Sequence, residues 1–134
     1  MTTPVFLDTV GLIAVWDRTD QWHEAAMAAY ERIKDEGAPS ITTSFILLEC
    51  GNAAARKPFR DAVNRLRLKL EVTEQLAFPT NADWIAAWEA YRRAEGAGTG
   101  IVDQVSFAVM RRLGIARAFT NDHHFQAAGF EILF

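Results

Sequence analysis

Val5-Phe6-Leu7-Asp8, running directly into Thr9–Trp16, is the stretch whose reading decides the fold. Three consecutive apolar residues closed by a carboxylate read as a short buried strand, and the segment to Trp16 reads as a helix. The same design returns near the other end, where Ile115-Ala116-Arg117-Ala118-Phe119-Thr120 runs into Asn121-Asp122. Working outward, Gln21–Lys34 carries Trp22, Ala25, Ala26, Ala29, Tyr30 and Ile33 at helical spacing, with Asp20 as its candidate cap. Gly37 stops that helix and Pro39 opens a strand near Ile41. Thr42, Thr43 and Ser44 offer caps for a helix that carries Glu49 and runs to about Arg56. Pro58 starts another helix, apolar at Phe59, Val63, Leu66 and Leu70, and a short strand is expected around Glu71-Val72-Thr73.

Thr80 or Asn81 caps the next helix, with Trp84, Trp88 and Tyr91 in a stripe. The turn Gly96-Ala97-Gly98-Thr99-Gly100 then precedes a helix from Val102 to Leu113 that is apolar on nearly every face. A strand over Ala116–Phe119, a short helix after Asp122 and a last strand, Glu131–Phe134, complete the chain. Strands alternating with helices imply an α/β fold: one domain over residues 1–134, its central, mainly parallel sheet of about five short strands flanked by helices on both faces.

Bulk properties bound the function. The 134 residues are 50% hydrophobic and 23% charged, the balance of a globular protein with a real core. The opening Met1-Thr2-Thr3-Pro4 lacks a signal-peptide pattern, and no apolar run reaches the ~20 residues a membrane span needs. The single cysteine, Cys50, fits a reducing, cytoplasmic setting and a core role. A net charge of −3 argues against a passive nucleic-acid coat, though not against an enzyme with a local acidic centre. Basic residues cluster at Arg56, Lys57, Arg60, Arg65, Arg67 and Lys69, and again at Arg111, Arg112 and Arg117. These are either solvated helix faces or a rim of phosphate contacts.

Four acids carry the candidate chemistry: Asp8, Glu49, Asp103 and Asp122. Ligands in open α/β sheets bind beyond the carboxyl ends of the strands, where Asp8 and Asp122 stand. Glu49 and Asp103 lie within apolar stretches, where an ionised carboxylate is costly unless compensated. Converging carboxylates raise one another's pKa, and a hard divalent cation held by oxygens reverses this. Blander readings exist for each: Asp8 and Asp122 as helix caps, Asp103 as a first-turn carboxylate, Glu49 on an exposed face. Thr9, Ser106 and Thr120 stand close enough in sequence to orient the acids. Of His123 and His124, adjacent on a helix, at most one can reach the same site. His23 reads as structural, and the Trp84–Trp88–Tyr91 stripe as packing or a subunit interface rather than base stacking.

Val5-Phe6-Leu7-Asp8-Thr9, Thr42-Thr43-Ser44 leading to Leu48-Glu49, Ile101-Val102-Asp103-Gln104-Val105-Ser106-Phe107 and the tail Phe119-Thr120-Asn121-Asp122-His123-His124-Phe125 together resemble the PIN-domain ribonucleases, particularly the toxins of VapBC toxin–antitoxin pairs. The resemblance spans the chain in the right order. It implies Asp8 and Asp103 as principal metal ligands, with Glu49 and Asp122 completing the site. It further implies Mg²⁺ or Mn²⁺, cleavage of RNA phosphodiester bonds, a small antitoxin partner and a homodimer. One departure is Gly100-Ile101, where relatives often carry a small hydroxyl and a leucine before the third acid.

Two other classes compete. An aspartyl-phosphate phosphatase would need a second aspartate at position 10, which is Val10. A PIN-like module that binds RNA or a partner without cleaving would have no need of four intact acids.

Overall fold

The computed structural model describes residues 2–134, so Met1 of the expected domain and of its N-terminal run lies outside the described residues. The elements are β1 (Val5–Leu7), α1 (Thr9–Trp16), α2 (His23–Glu36), β2 (Ser40–Thr43), α3 (Ser44–Ala54), α4 (Arg60–Val72), β3 (Leu76–Ala77), α5 (Asn81–Arg92), α6 (Ile101–Leu113), β4 (Arg117–Phe119), α7 (His123–Ala127) and β5 (Glu131–Ile132). The strands form one sheet in the order β3-β2-β1-β4-β5, and every neighbouring pair is parallel. The chain builds outward from β1 to β3, then returns to lay β4 on the other side of β1. That reversal makes the β1/β4 border the topological switch point, where a crevice opens beyond the carboxyl ends of the strands.

Helices cover both faces of the sheet. Val5, Phe6 and Leu7 are all fully buried, which requires cover on both sides of β1. Phe6 stands opposite Ala118, and its ring meets Phe125 of α7, which in turn packs edge-on against Phe107 of α6. On the opposite face, Phe119 contacts Tyr30 of α2 and Phe134. Cys50 is fully buried in this core, and burial pushes its thiol up to about 12, so it behaves as a small hydrophobe. Helix α5 is joined to α6 by Asp83, which closes a capping box with Thr80 and receives Nε and Nη2 of Arg112 at 2.8–3.1 Å. His23 is structural as expected, its Nδ1 lying 2.7 Å from the Ala14 carbonyl and joining α2 to α1.

Where the strand at Glu71–Thr73 was expected, α4 instead continues to Val72. Arg67 holds Glu71 one turn on through Nη1 (2.8 Å), and Leu70 is buried, so both the surface and core sides of this turn favour helix. The Thr73 hydroxyl donates to the Lys69 carbonyl, Glu74 takes a positive φ of 57°, and the strand begins only at Leu76. Helix α2 starts at His23 rather than Gln21 because the Asp20 carboxylate accepts the Trp22 amide in a turn before it. The terminal strand is confined to Glu131–Ile132.

Helix α1 reaches the switch point only because residue 11 is glycine. A Cβ there would collide with the Phe119 carbonyl oxygen and stand 2.7 Å from the Phe119 ring. Gly11→Ala is therefore expected to destabilise the protein by about 1–3 kcal/mol, the range for overpacking. Urea unfolding followed by circular dichroism would read this as a lowered midpoint; an unchanged midpoint would show that α1 can slide without loss.

Candidate active site

Four elements deliver the four acids to the switch point. Asp8 follows β1 and occupies the N-cap position of α1, yet its side chain makes no capping bond. Instead, Asp8 Oδ2 accepts the Thr120 hydroxyl at 2.8 Å, and the carboxylate is 2% exposed. Thr120 Oγ1 also accepts the Asp122 amide at 3.1 Å, so one side chain ties the ends of β1 and β4 together. Glu49, half-buried on α3, accepts the Thr9 hydroxyl at 2.6 Å, which links α3 to the first residue of α1. Asp103 sits in the first turn of α6. Asp122 caps α7, accepting the His124 amide at 2.9 Å, and the same oxygen faces His124 Nδ1 at 2.8 Å. The capping reading thus holds for Asp122 alongside its place in the cluster, and fails for the Asp8 side chain.

Asp103, Asp122 and His124 each present a potential ligand atom within 4.8 Å of the others. His124, rather than His123, reaches the site; His123 is exposed and faces Gln126. Asp8 joins electrostatically. Burial, followed by the Asp103 charge, pushes the Asp8 carboxyl up to about 7 despite the Thr120 hydrogen bond. Burial, then the charges of Asp122 and Glu49, pushes Asp103 up to about 6. Among the described residues, no lysine or arginine forms an ion pair with Asp8, Glu49 or Asp103.

This donor set fits a divalent cation. Its carboxylate oxygens are hard ligands, they are partly desolvated, and the charge they concentrate is unbalanced by a basic side chain. The imidazole of His124 would suit a transition ion better than an alkaline-earth one.

Two expected contributors are absent from the cluster. The Ser106 hydroxyl is fully buried on α6 and bonds none of the acids. In the second basic cluster, Arg112 is committed to Asp83, while Arg117 Nη2 donates to the Thr3 carbonyl and pairs with Glu36. Neither belongs to a phosphate rim. Arg56, Lys57, Arg60, Arg65 and Lys69 do remain exposed beside α3 and on α4. Sequence reasoning gave His124 no more weight than its neighbour; the spacing Asp122-x-His124 across a cap was the signal that separates them.

Comparison with known proteins places this geometry. The PIN-domain family model matches residues 5–131. The chain belongs to the PIN-domain family. Within it the chain is of VapC type: it is 31% identical over 128 residues to the 23S rRNA-specific endonuclease VapC20 of Mycobacterium tuberculosis, covering 94% of this chain and 95% of the relative. The crystal structure of that protein, a sarcin-ricin loop cleaving toxin, superposes with a TM-score of 0.79 at 28% identity, over 94% of this chain and 95% of the other. The DNA-bound VapBC complex of Salmonella typhimurium shares the fold alone, at a TM-score of 0.67 and 16% identity over 98% and 97% of the two chains. No described helix is long and apolar enough to cross a membrane.

The raised carboxyls have a thermodynamic consequence. Native Asp8 and Asp103 hold protons more tightly than the unfolded chain does, so between about pH 4 and pH 7 the native state binds more protons. Stability of the metal-free protein is then greatest at the acid end of that window and falls as pH rises through 6 to 7. Melting in EDTA should show this fall, and Asp8→Asn should flatten it and melt above wild type at pH 8. A wild-type melting temperature that is level or rising from pH 5 to pH 8, unchanged in Asp8→Asn, would refute the electrostatic account.

Proposed function

We propose that this chain is a divalent-metal-dependent endoribonuclease acting as the toxin of a toxin–antitoxin pair. The observation that carries the proposal is the convergence of Asp8, Asp103, Asp122 and Glu49 at the β1/β4 border with no lysine or arginine paired to them among the described residues. Similarity to a ribosomal-RNA endonuclease over nearly the whole chain supports it. Asp8, Asp103, Asp122 and Glu49, with His124, would hold the cation, Mg²⁺ or Mn²⁺. When bound, such an ion supplies charge neutralisation at the phosphate and activation of water for in-line hydrolysis.

The chain's own residues do the rest. Thr120 and Thr9 fix the rotamers of Asp8 and Glu49 through hydroxyl bonds of 2.8 and 2.6 Å, so the carboxylates meet substrate already oriented. Asp122 holds the imidazole of His124 through Nδ1, leaving Nε2 toward Gly98. Glu49 is the least buried of the strand- and helix-held acids tied by a hydroxyl, and is a candidate proton acceptor. No side-chain nucleophile is required: Cys50 is buried with a raised pKa, and Val10 leaves no second aspartate for phosphoryl transfer to protein. The exposed basic residues beside α3 and on α4 are available to RNA phosphates.

The partner reading follows from the family. A small antitoxin is the proposed regulator, as VapBC and FitAB assemblies are among the structural neighbours. A homodimer is proposed on the aromatic row of α5. There Trp84, Trp88 and Tyr91 are 49%, 41% and 49% exposed, and Phe45 of α3 packs edge-on against Trp84. Aromatic rows of this exposure are typical of interface cores. Trp88→Arg should convert a dimer to a monomer in light scattering; a wild-type monomer at all concentrations would remove the dimer.

Purified protein should cleave RNA with added Mg²⁺ or Mn²⁺ and stop in EDTA. Asp8→Asn and Asp103→Asn should each lose turnover by on the order of a hundredfold or more while keeping a native circular-dichroism spectrum. Thr120→Val should weaken cation affinity by about 10–100-fold, the usual effect of removing a ligand-orienting partner. Full activity in EDTA, or in both aspartate variants, would overturn the reading and favour an RNA-binding module.

A further inference from the structure

A cavity of about 420 Å³ has His124 in its wall, and none of the four acids lines it. Its walls are Glu95, Thr99, Gln104, Phe107, Arg111 and His124, drawn from the glycine turn, one face of α6 and the start of α7. His124 therefore belongs to two places at once. Its Nδ1 is held by Asp122 in the acidic cluster, while its ring forms part of this second wall. Whatever fills the cavity sits one imidazole away from the phosphate that the acids would engage.

We propose that the cavity binds a nucleobase of the RNA next to the scissile phosphate and sets the cleavage preference, an inference that rests on the ribonuclease reading. Size permits it: at about 420 Å³ the cavity falls in the lower part of the ~300–1,000 Å³ of ordinary ligand pockets, and a single base with part of its ribose is smaller than that. Charge selects the base over a second phosphate. Glu95 on the wall offsets the positive charge of Arg111, and Asp122 stands behind His124, so the wall has no excess of cations to hold a second phosphate and a neutral heterocycle meets no barrier.

The polar groups are those that read base edges. Arg111 lies with its guanidinium carbon 5.9 Å from the Phe107 ring centroid and 5.4 Å from that of Phe130, and Nη2 donates to the Ala128 carbonyl. Its plane is thus held in place, and its remaining N–H groups are donors for ring nitrogens or carbonyls. Gln104, 4% exposed, spends its amide N–H on the Glu95 carbonyl at 2.7 Å and retains its oxygen as an acceptor. Thr99, 8% exposed, adds to the wall, with its hydroxyl buried beneath Gly96 and without a partner among the described residues. Glu95 adds a carboxylate acceptor for an exocyclic amine.

The turn's backbone serves the same wall. Gly96 and Gly98 adopt φ of 65° and 81°, and a Cβ on Gly98 would lie 3.6 Å from His124 Nε2. The positive φ values call for glycine at both positions, and the turn they make brings the backbone of residue 98 alongside the imidazole.

Two measurements test the proposal. The first is cleavage of a randomised RNA library by wild type, Arg111→Lys and Ala127→Phe, with the ends sequenced; Ala127 is exposed at the cavity and its enlargement fills space without touching the core. Wild type should show a base preference at a position adjoining the cut. Both variants should reduce that preference by about tenfold, the effect of losing one good hydrogen-bonding pair, and leave preferences further away intact. The second is nuclear magnetic resonance of the Gln104 side-chain amide in wild type, titrated with each of the four ribonucleoside 5′-monophosphates and with inorganic phosphate. A saturable shift with at least one nucleotide and none with phosphate is expected, and it should vanish in Ala127→Phe. An unaltered preference in both folded variants, no Gln104 shift with any nucleotide, or the same shift with phosphate overturns the proposal. Saturable nucleotide shifts in a protein that cleaves no RNA would instead sink the ribonuclease reading and leave the base site standing.

Discussion

The parallel register of β1 against β4 is the constraint on which the rest depends. Leu7 pairs with Phe119, so the next residues, Asp8 and Thr120, leave the sheet side by side. The Thr120 hydroxyl can then bond Asp8, and its oxygen can receive the amide that begins the Asp122 turn. A slip of one residue in either strand would turn the fully buried Phe6 and Phe119 toward the wrong faces, which the packed core forbids. Core packing thereby sets the position of charged groups that contribute nothing to the core. Gly11 is part of the same constraint, since it alone lets α1 approach the Phe119 backbone.

Convergence of this kind is unfavourable taken by itself. Helix termini offset part of it: Asp8 and Asp122 stand at the N-caps of α1 and α7, and Asp103 in the first turn of α6. Each terminus supplies roughly half a positive charge at best, and less for so short a helix as α7. Three such termini fall well short of four carboxylates. The imbalance shows in the raised carboxyls of Asp8 and Asp103 and is of the size a divalent cation removes. A cation bound to the native cluster and not to the unfolded chain would return stability, about 2.7 kcal/mol at a hundred times its dissociation constant.

Much of this was legible in the sequence, and the reasons differ by element. Apolar runs ending in acids identified β1 and β4, because a buried central strand has no polar face to blur its ends. That Asp8, Glu49, Asp103 and Asp122 could meet was readable because Asp8 and Asp122 stand at the carboxyl ends of strands and Glu49 and Asp103 within apolar stretches, although each has a blander reading taken singly. Glu71–Thr73 misled because β-branched residues favour strand, while the Arg67–Glu71 pair and buried Leu70 that keep it helical act through spacing and tertiary contact. For Arg112 and Arg117 neither a solvated face nor a phosphate rim held, because their partners, Asp83 and Glu36, are 29 and 81 residues away in sequence. Ser106 lay near Asp103 in sequence, but successive helix positions diverge by about 100°, and its hydroxyl faces the interior. His124 could be separated from His123 only through the cap geometry of Asp122.

That last point bears on how the site and its surroundings work together. In many metal-centred sites a histidine is held by a second group that fixes its ring, and here the holder, Asp122, is itself one of the clustered acids. Asp122 therefore does three things through one carboxylate: it starts α7, orients His124 and adds charge to the centre. Its removal cannot act on one of these alone. Loss of the cap frees the turn, loss of the Nδ1 contact leaves the His124 ring free to rotate, and rotation reshapes the wall shared with the neighbouring cavity. Asp8 is different, since its side chain caps nothing and its bond to Thr120 can be kept by asparagine. Substitution at Asp8 reports on the centre's charge, whereas substitution at Asp122 reports on the coupling between charge, helix start and cavity wall.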